Sequence, residues 1–520
     1  MNFQKREDAE MLEKRCAALL CLFLLAMSVL AARIFYIGLG ALPESVTALG
    51  GQHTRTLALA RRRGIIYDRR GESLARDAPL WLCVVDHAGF DYDAHGESLC
   101  RAAGIGSGAL LLLRERGIPY VLRAAERVDL PGVYSVPDYR TGESGLAPHV
   151  VGYLDADGAG VCGLEKSYDL ALRYYGGSLS LLYRANALGV QLGNSLTVVD
   201  NAGYDALGGI VCTLDAGLQR GLEALSIMKG AAVVCDSETG EILASASYPS
   251  YTSAAAVLNS PDGNLLNRAA LTYTPGSVFK LVTAAAALEH GFDPSETLVC
   301  TGERCYGGIP HGEVDMKRAM AQSCNAYFAY AARAVGGDAV REMGERLGIG
   351  QEGSIDGIPC GRGAMETRSE ANLAIGQGGT LLSPYALASA VGTIVSGGIR
   401  TPLSLVRGLL DGGGELHAVE RSGVRVLSEE LCDTLREMME EVIASGTGQD
   451  AFCACGAPLG GKTATAQTGQ RDADGTECLN RWFAGYAGRY TIVVLREDDG
   501  NAAASFAEIV SFLKKSGNLL

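Results

Sequence analysis

Residues 274–290 read TPGSVFKLVTAAAALEH and are followed by Gly291. The apolar run and the glycine after it predict a helix over Ser277–His290, with Gly291 as its C′ residue. Ser277 opens this helix, where unpaired N–H groups and the helix dipole favour developing negative charge. Lys280 lies three residues on, on the same face and within side-chain reach. If burial lowers the pKa of Lys280, the pair predicts a nucleophilic serine with its base.

Ser-x-x-Lys alone is more often a serine helix cap followed by a solvated lysine. Two further motifs in the chain bear on this choice. Ser323-Cys-Asn325 precedes an apolar, aromatic helix, so these residues are either caps or groups that pass a proton and hold an amide. Lys462-Thr-Ala-Thr465 alternates polar and small residues, as in a polar edge strand or in a strand that binds one anionic group. The order of the three motifs, in helix, helix and strand contexts, favours the chemical interpretation.

The sequence around these motifs predicts a sheet that both ends of one domain complete. A Ser-Glu-Thr-Gly turn between two apolar runs predicts a β-hairpin over Ala231–Asp236 and Glu241–Ser247. Further elements are predicted nearer the C-terminus: strands over Gly460–Thr468, Arg481–Ala487 and Tyr490–Arg496, and an amphipathic helix over Asn501–Lys515.

Length and composition limit the class of protein. The chain has 520 residues, which predicts two or three domains. Apolar residues make up 48% and charged residues 20%, as in globular proteins. The formal net charge of −14 argues against a nucleic-acid partner, because phosphate backbones are bound by clustered Lys and Arg.

The 15 cysteines are scattered along the chain. The pairs Cys300 with Cys305 and Cys453 with Cys455 lack a second Cys/His pair at zinc-ligand spacing. We therefore predict that the cysteines are buried small apolar residues and that no metal is bound. If the domain is extracellular, one or two disulfides stay open as an alternative.

The N-terminal segment decides the predicted compartment. Cys16–Ala32 is an uncharged apolar run, and after Arg33 the sequence continues apolar. We predict a cytoplasmic segment over 1–15 and a membrane anchor over 16–39, with everything beyond it outside the cell. A cleaved signal peptide is the alternative, because Val29–Ala31 is similar to a cleavage site. Four basic residues before the run support the orientation: Lys5, Arg6, Lys14 and Arg15.

Motifs along nearly the whole chain resemble those of class B penicillin-binding proteins. Gly64–Ala75 reads GIIYDRRGESLA, which predicts a hairpin, and Arg63–Ala75 is similar to the family signature RG-x-I-x-DR-x-G-x-x-LA. The three short motifs resemble the family's S-x-x-K, S-x-N and K-T-G set, with Ala464 in place of the glycine of the third. Other similar stretches are His149–Leu154, Gly163–Tyr168, Thr239–Ala244, Tyr248-Pro249, Thr274–Lys280, His311-Gly312, Ser323–Phe328, Ile375–Gly378 and Trp482–Tyr486.

The resemblance implies an α+β fold in three parts. An N-terminal transmembrane helix is followed by an irregular α+β pedestal domain, of the dimerisation type, over residues 40–208. A penicilloyl-serine transferase domain over 209–520 has a mixed, mainly antiparallel sheet flanked by helices. No cofactor is implied. The implied partners are peptidoglycan stem peptides, β-lactams as inhibitors, and a polytopic membrane glycosyltransferase that polymerises glycan.

The resemblance also implies a D,D-transpeptidase that cross-links peptidoglycan during elongation, division or spore cortex synthesis. The penultimate D-Ala of a stem peptide would acylate Ser277, with Lys280 as the base. Ser323 and Lys462 would manage the proton of the departing D-Ala, and Asn325 would bind the substrate amide. Two hydroxyls would face the terminal carboxylate, and two N–H groups would form the oxyanion hole. The hydroxyls are those of Thr463 and Thr465, and the N–H groups are those of Ser277 and Thr465.

Ala464 is a departure from the family pattern, which has Gly at this position so that a substrate backbone lies close to the strand. Two alternatives to an active transpeptidase stay open. A β-lactamase would normally lack residues 60 to 200, and a non-catalytic scaffold would carry Ala464 as a mark of decay.

Overall fold

The computed structural model describes residues 2–40, 54–74, 80–138, 145–155, 157–193, 196–200, 208–251, 264–351, 353–471 and 474–517. The helices are α1 (Asn2–Gly40), α2 (Tyr92–Ala103), α3 (Ser107–Glu115), α4 (Pro148–Val151), α5 (Gly163–Ser167), α6 (Asp169–Tyr174), α7 (Ala216–Glu223), α8 (Lys280–Glu289), α9 (Met316–Ala321), α10 (Asn325–Val335), α11 (Gly337–Arg346), α12 (Glu370–Ala374), α13 (Pro384–Val395), α14 (Glu429–Ala444) and α15 (Ala502–Lys515).

The strands are β1 (Thr54–Arg62), β2 (Ile65–Tyr67), β3 (Leu80–Val85), β4 (Tyr120–Ala124), β5 (Val133–Asp138), β6 (Gly177–Arg184), β7 (Thr197–Asp200), β8 (Gly209–Cys212), β9 (Gly230–Asp236), β10 (Ile242–Tyr248), β11 (Leu298–Cys300), β12 (Gly312–Val314), β13 (Ser354–Ile355), β14 (Ile358–Pro359), β15 (Ile399–Arg400), β16 (Val406–Leu410), β17 (Leu416–Ala418), β18 (Val424–Arg425), β19 (Leu459–Arg471), β20 (Glu477–Ala487) and β21 (Tyr490–Arg496).

The chain forms two compact units that interleave along the sequence. The first unit comprises residues 1–60, 80–138 and 178–201, and the second comprises 61–79, 139–177 and 202–520. Pairing explains the interleaving, because β2 runs parallel to β8 and so places residues 61–79 in the second unit. The sequence predicts a boundary between a pedestal domain that ends at residue 208 and a transpeptidase domain that begins at residue 209. This boundary stays a prediction.

The first unit has the predicted irregular α+β character. In one antiparallel sheet, β3 lies between β4 and β5. Helices α2 and α3 cover it, and Leu99 and Leu110 pack with Val85 and Phe90 in one core. A second sheet has the order β1-β6-β7.

Helix α1 contains the predicted membrane segment 16–39. Over Lys14–Phe35 it is long and apolar enough to cross a membrane, and none of that stretch is buried among the described residues. No other helix in the described ranges meets the same criteria. The structure therefore agrees with a single membrane anchor near the N-terminus.

The central sheet of the second unit has the strand order β10-β9-β21-β20-β19. The predicted hairpin and the three predicted C-terminal strands are confirmed as β9, β10, β19, β20 and β21. Every neighbouring pair is antiparallel, in agreement with the mainly antiparallel sheet expected, and these five strands contain no parallel pair. The reason is connectivity: short turns join β9 to β10, β19 to β20 and β20 to β21, and β21 returns beside β9 in the opposite direction.

Helices cover both faces of the central sheet, as predicted. Alternate side chains of β9 point to opposite faces of the sheet. Val233 packs in the core that contains α13, and Val234 packs in the core that contains α15. On the α15 side, Phe506 stacks 4.5 Å from Phe483, between ring centroids. The five strands are therefore held between two apolar layers, which fixes the position of the edge strand β19.

Two of the family-like stretches meet in the second unit. The half-buried Arg63 binds the carboxylates of Glu165 at 3.0 Å and Asp169 at 2.7 Å. The predicted hairpin over residues 64–75 is present as a turn, in which Tyr67 pairs with Ser73. Its last residue, Ala75, lies outside the described residues.

Candidate active site

The helix that contains Ser277 begins more tightly than predicted. Residues Gly276–Phe279 form a 3-10 turn, and α8 continues from Lys280 to Glu289, with Gly291 at a φ of 78° after its end. Gly276 has a φ of 59°, and a Cβ added there would lie 2.9 Å from Ala466 Cβ on β19. Only glycine permits this approach, so the turn places the half-buried Ser277 directly against β19.

Lys280 joins the first motif to the second. Its side chain is completely buried, and Nζ donates hydrogen bonds to Ser323 O at 2.7 Å, Ser323 Oγ at 3.1 Å and Asn325 Oδ1 at 2.7 Å. Burial is the main influence on this amine and lowers the pKa of Lys280 to about 7. An amine with such a pKa exists partly in the neutral form at neutral pH, as a base toward a serine must.

Ser323 has an unusual backbone conformation, with a φ of 57° in a residue that is not glycine. Neighbouring bonds hold it there: Cys324 N donates to Ala319 O at 2.8 Å, and Asn325 begins α10. Asn325 Nδ2 also donates to Arg304 O at 3.2 Å. The strained turn therefore directs both the carbonyl and the hydroxyl of Ser323 at the amine of Lys280.

The third motif lies on β19, beside the 3-10 turn. Lys462 is completely buried and donates to Thr463 O at 3.0 Å. Burial and the charge of Lys280 hold the pKa of Lys462 well below its usual range. Thr463 Oγ1 shares a hydrogen bond of 2.6 Å with Thr447 Oγ1, a contact that sequence reasoning missed. The only local signal was that Thr447 stands between two glycines after an amphipathic helix.

A cleft of about 990 Å³ brings the predicted residues together. Its size is typical of a small-molecule or peptide site. Lys280 and Lys462 are buried and do not line the cleft, but Lys280 bonds to Ser323 and Asn325, and Lys462 bonds to Thr463. The cleft is lined by Ser277, Ser323, Asn325, Thr463, Ala464 and Thr465, among other residues. The structure thus places all seven predicted site residues at one location.

Trp482, on the neighbouring strand β20, secures the segment before the serine. Its Nε1 donates to Thr274 O at 3.0 Å, and the ring of Tyr273 lies against it at 6.2 Å between centroids. The family-like stretch at Trp482 therefore serves to position the turn that carries Ser277.

Four potential metal ligands converge beside the second motif. Cys300, Cys305, His311 and Cys324 offer ligand atoms that all lie within 4.8 Å of one another. All 15 cysteines are free, and the three in this group are buried as predicted. Sequence spacing did not reveal this grouping, because the third cysteine comes from the start of another helix; whether the group binds a metal stays untested.

Comparisons with known proteins agree on one family. The model of the penicillin binding protein transpeptidase domain matches residues 230–511. The penicillin-binding protein PbpB of Mycolicibacterium smegmatis is 30% identical over 425 residues, which cover 72% of this chain and 64% of that protein. The peptidoglycan D,D-transpeptidase FtsI of Escherichia coli is 25% identical over 542 residues, covering 95% of this chain and 89% of that protein. The chain spans between half and two thirds of the length of the PbpB relatives.

A solved structure shows the same fold along almost the whole chain. That structure was solved to describe the structural coordination of polymerization and crosslinking by a peptidoglycan synthase complex. The TM-score is 0.69 at 24% identity, with 97% of this chain and 98% of that chain covered.

Proposed function

Because the chain belongs to the penicillin-binding protein transpeptidase family, we propose that it is a D,D-transpeptidase that cross-links peptidoglycan through an acyl-enzyme on Ser277. One observation carries the proposal: a fully buried lysine, Lys280, has its amine bonded to Ser323 and Asn325, which line the same cleft as Ser277. A structural lysine would gain little from such a position, since burying its charge is costly. A base of lowered pKa needs this environment.

In the first half-reaction, Ser277 Oγ attacks the carbonyl carbon of the penultimate D-Ala and gives its proton to the neutral amine of Lys280. The N–H groups of Ser277 and Thr465 stabilise the oxyanion. The peptide bond then breaks, and the terminal D-Ala leaves after its nitrogen takes a proton through the hydroxyl of Ser323. Lys462, whose amine is also buried, supports this transfer.

In the second half-reaction, an amine of another stem peptide attacks the ester on Ser277. The same groups return the proton to Ser277 Oγ, and the new peptide bond is the cross-link. The substrate aligns along β19, which pairs only with β20 within the described sheet and so leaves its other edge open. Thr463 and Thr465 on this strand face the carboxylate, and Thr447 orients the first of these hydroxyls.

The proposal is tested by incubating the full chain in detergent with a labelled penicillin and mapping the adduct by peptide mass spectrometry. A stable adduct on Ser277 is expected. In a separate incubation without penicillin, stem peptides should release D-Ala and form a cross-linked dimer. A chain that forms no adduct would be a scaffold, and one that rapidly hydrolyses the penicillin would be a β-lactamase.

We further propose that the N-terminus is cytoplasmic, that the cleft lies outside the cell, and that a polytopic membrane glycosyltransferase is the partner. The basic residues before the apolar part of α1, Lys14 and Arg15 among them, support the orientation. A reporter fused after Leu520 should be active only outside the cytoplasm. The partner should co-purify with the full chain in detergent, and its absence after mild cross-linking would contradict that part.

Replacing Ala464 by glycine should raise the rate of acylation by penicillin several-fold at a nearly unchanged melting temperature. The methyl group of Ala464 is largely buried and lies between β19 and the turn that carries Ser277. If Gly276 carried a Cβ, that atom would lie 3.5 Å from the methyl group. Removing it lets β19 approach the turn, and one well-placed oxyanion donor is worth about 3 kcal/mol. The cost to the strand is only roughly 0.5–1 kcal/mol. Stopped-flow acylation of the full chain measures the rate.

The control is Ala246→Gly, a buried alanine on β10 of the same sheet, outside the cleft lining and away from the turn that carries Ser277. We expect no acceleration from it. An equal gain in both variants would mean that a softer sheet, rather than the missing methyl at residue 464, changes the rate. An unchanged or slower rate in Ala464→Gly would show that the methyl does not obstruct the site.

A further inference from the structure

The group of Cys300, Cys305, His311 and Cys324 has the dimensions of a tetrahedral metal centre. Cys300 Sγ lies 3.5 Å from Cys305 Sγ and 3.4 Å from His311 Nδ1, and Cys305 Sγ lies 3.8 Å from Cys324 Sγ. Zinc–ligand bonds of about 2.3 Å to sulfur and 2.0–2.1 Å to nitrogen give ideal ligand separations of about 3.8 Å (S to S) and 3.6 Å (S to N). These three distances are close to the edges of a tetrahedron around one ion, and the other three separations are all within 4.8 Å.

Backbone structure places each of these ligands. Cys300 ends β11 and pairs with Gly312 of β12, so the hairpin brings His311 beside it. Cys305 lies in the hairpin loop, where its N–H donates to Gly302 O at 2.9 Å. Gly302 has a φ of 90°, and a Cβ there would lie 2.4 Å from Gly308 O, so the loop is folded too tightly for any other residue.

The fourth ligand couples the group to the catalytic motif. Cys324 stands between Ser323 and Asn325, the two residues that bind Lys280. The loop that carries Cys305 reaches the same motif, because Arg304 O accepts the hydrogen bond from Asn325 Nδ2. Arg304, Cys305 and His311 also line the cleft. An ion held by the four ligands would join the cleft wall to the Ser-Cys-Asn motif.

We propose that Cys300, Cys305, His311 and Cys324 bind one zinc ion, and that this ion holds the Ser-Cys-Asn motif in the geometry that Lys280 requires. Three sulfur ligands and one imidazole in a tetrahedron favour zinc over magnesium or calcium, which take oxygen ligands. Binding releases the protons of the thiols and leaves the imidazole neutral. No electron transfer is involved. The coupling to Lys280, unlike the metal site itself, rests on the proposed function.

The metal content of the full chain, purified in detergent without chelator, tests the site. Inductively coupled plasma mass spectrometry should find one zinc per chain in the wild type and in Cys432→Ala, a buried cysteine outside the group. Cys300→Ala and Cys305→Ala should retain less than about a tenth of it. Cobalt substituted for zinc should give the visible spectrum of a tetrahedral thiolate complex in the wild type and lose it in Cys305→Ala.

The rate of acylation by labelled penicillin tests the coupling. Removal of zinc by a chelator, or Cys305→Ala, should slow acylation about 10- to 100-fold, as loss of groups that orient a functional centre commonly does. Added zinc should restore the chelated wild type but not Cys305→Ala. Ser277→Ala should form no adduct and still hold one zinc. Zinc binding and acylation are therefore measured independently. A wild type that binds zinc but forms no adduct would refute only the proposed function.

Three results would overturn the inference. The first is a wild type that holds no zinc after equilibration with the ion, and the second is equal zinc in Cys305→Ala. The third is a disulfide between Cys300 and Cys305 in the purified chain, detected by non-reducing peptide mapping, since oxidation would consume two of the ligands. Zinc binding with unchanged acylation after its removal would overturn the role assigned to the ion.

Discussion

Lys280→Ala should leave the chain folded and lower the rate of acylation by penicillin about 10²- to 10⁴-fold, the usual contribution of a general base. The amine of Lys280 is the buried group that connects Ser323 and Asn325, which line the cleft with Ser277, and an alanine cannot replace its proton transfer. Stopped-flow acylation and thermal unfolding of the full chain in detergent measure the two quantities.

The fold should tolerate this change because two effects oppose each other. Removing the amine relieves the burial of a charge, whereas Ser323 O and Asn325 Oδ1 lose a donor. Residue 280 also begins α8, where alanine is well accepted. The control Lys317→Ala removes a half-exposed lysine from α9 and should change neither quantity. A Lys280→Ala variant that acylates at the wild-type rate would remove this residue from the mechanism.

Gly376→Ala should abolish most acylation and lower the free energy of unfolding by about 2–5 kcal/mol. Gly376 has a φ of 65°, and a Cβ there would lie 2.4 Å from Gly276 O and 2.6 Å from Phe279 Cβ. Its carbonyl also accepts the N–H of Gly276 at 2.9 Å. The added methyl must therefore push away the turn that holds Ser277 against β19.

Gly291→Ala is the matched control for backbone strain. Gly291 has a φ of 78°, but a Cβ there would meet no atom within 4 Å. It should cost only the strain of a left-handed alanine, about 1–2 kcal/mol, and leave acylation unchanged. The difference between the two variants isolates the steric contact. Equal acylation rates in Gly376→Ala and Gly291→Ala would show that the contact does not position Ser277.

Local patterns predicted the elements that carry the site. The helix at Ser277, the hairpin of β9 and β10 and the three C-terminal strands were found because their apolar periodicity and turn residues act over a few neighbours. The three motifs predicted seven site residues; five of them line one cleft, and the two buried lysines bond to residues that line it. The order of the strands was not predicted, because pairing between β9 and β21 joins residues far apart in the sequence.

Features that depend on distant contacts were missed. The contact of Thr447 with Thr463 links the end of a helix to a strand. The grouping of Cys324 with Cys300, Cys305 and His311 needs both the hairpin and the start of α10. The left-handed backbone of Ser323 has no sequence signal, since serine rarely adopts it. Each is imposed by tertiary structure rather than by local propensity.

The open edge of β19 has a consequence for the solubility of the chain. An unpaired strand edge can template pairing with other copies, which leads to aggregation. The inner part of β19 is recessed, since Gly461 and Lys462 are buried, whereas its outer part is polar and exposed from Gly469 to Arg471. A single extended peptide needs less room in this recess than the sheet edge of another folded copy. The recess therefore favours pairing of the β19 edge with a single extended peptide over pairing with the edge of another sheet.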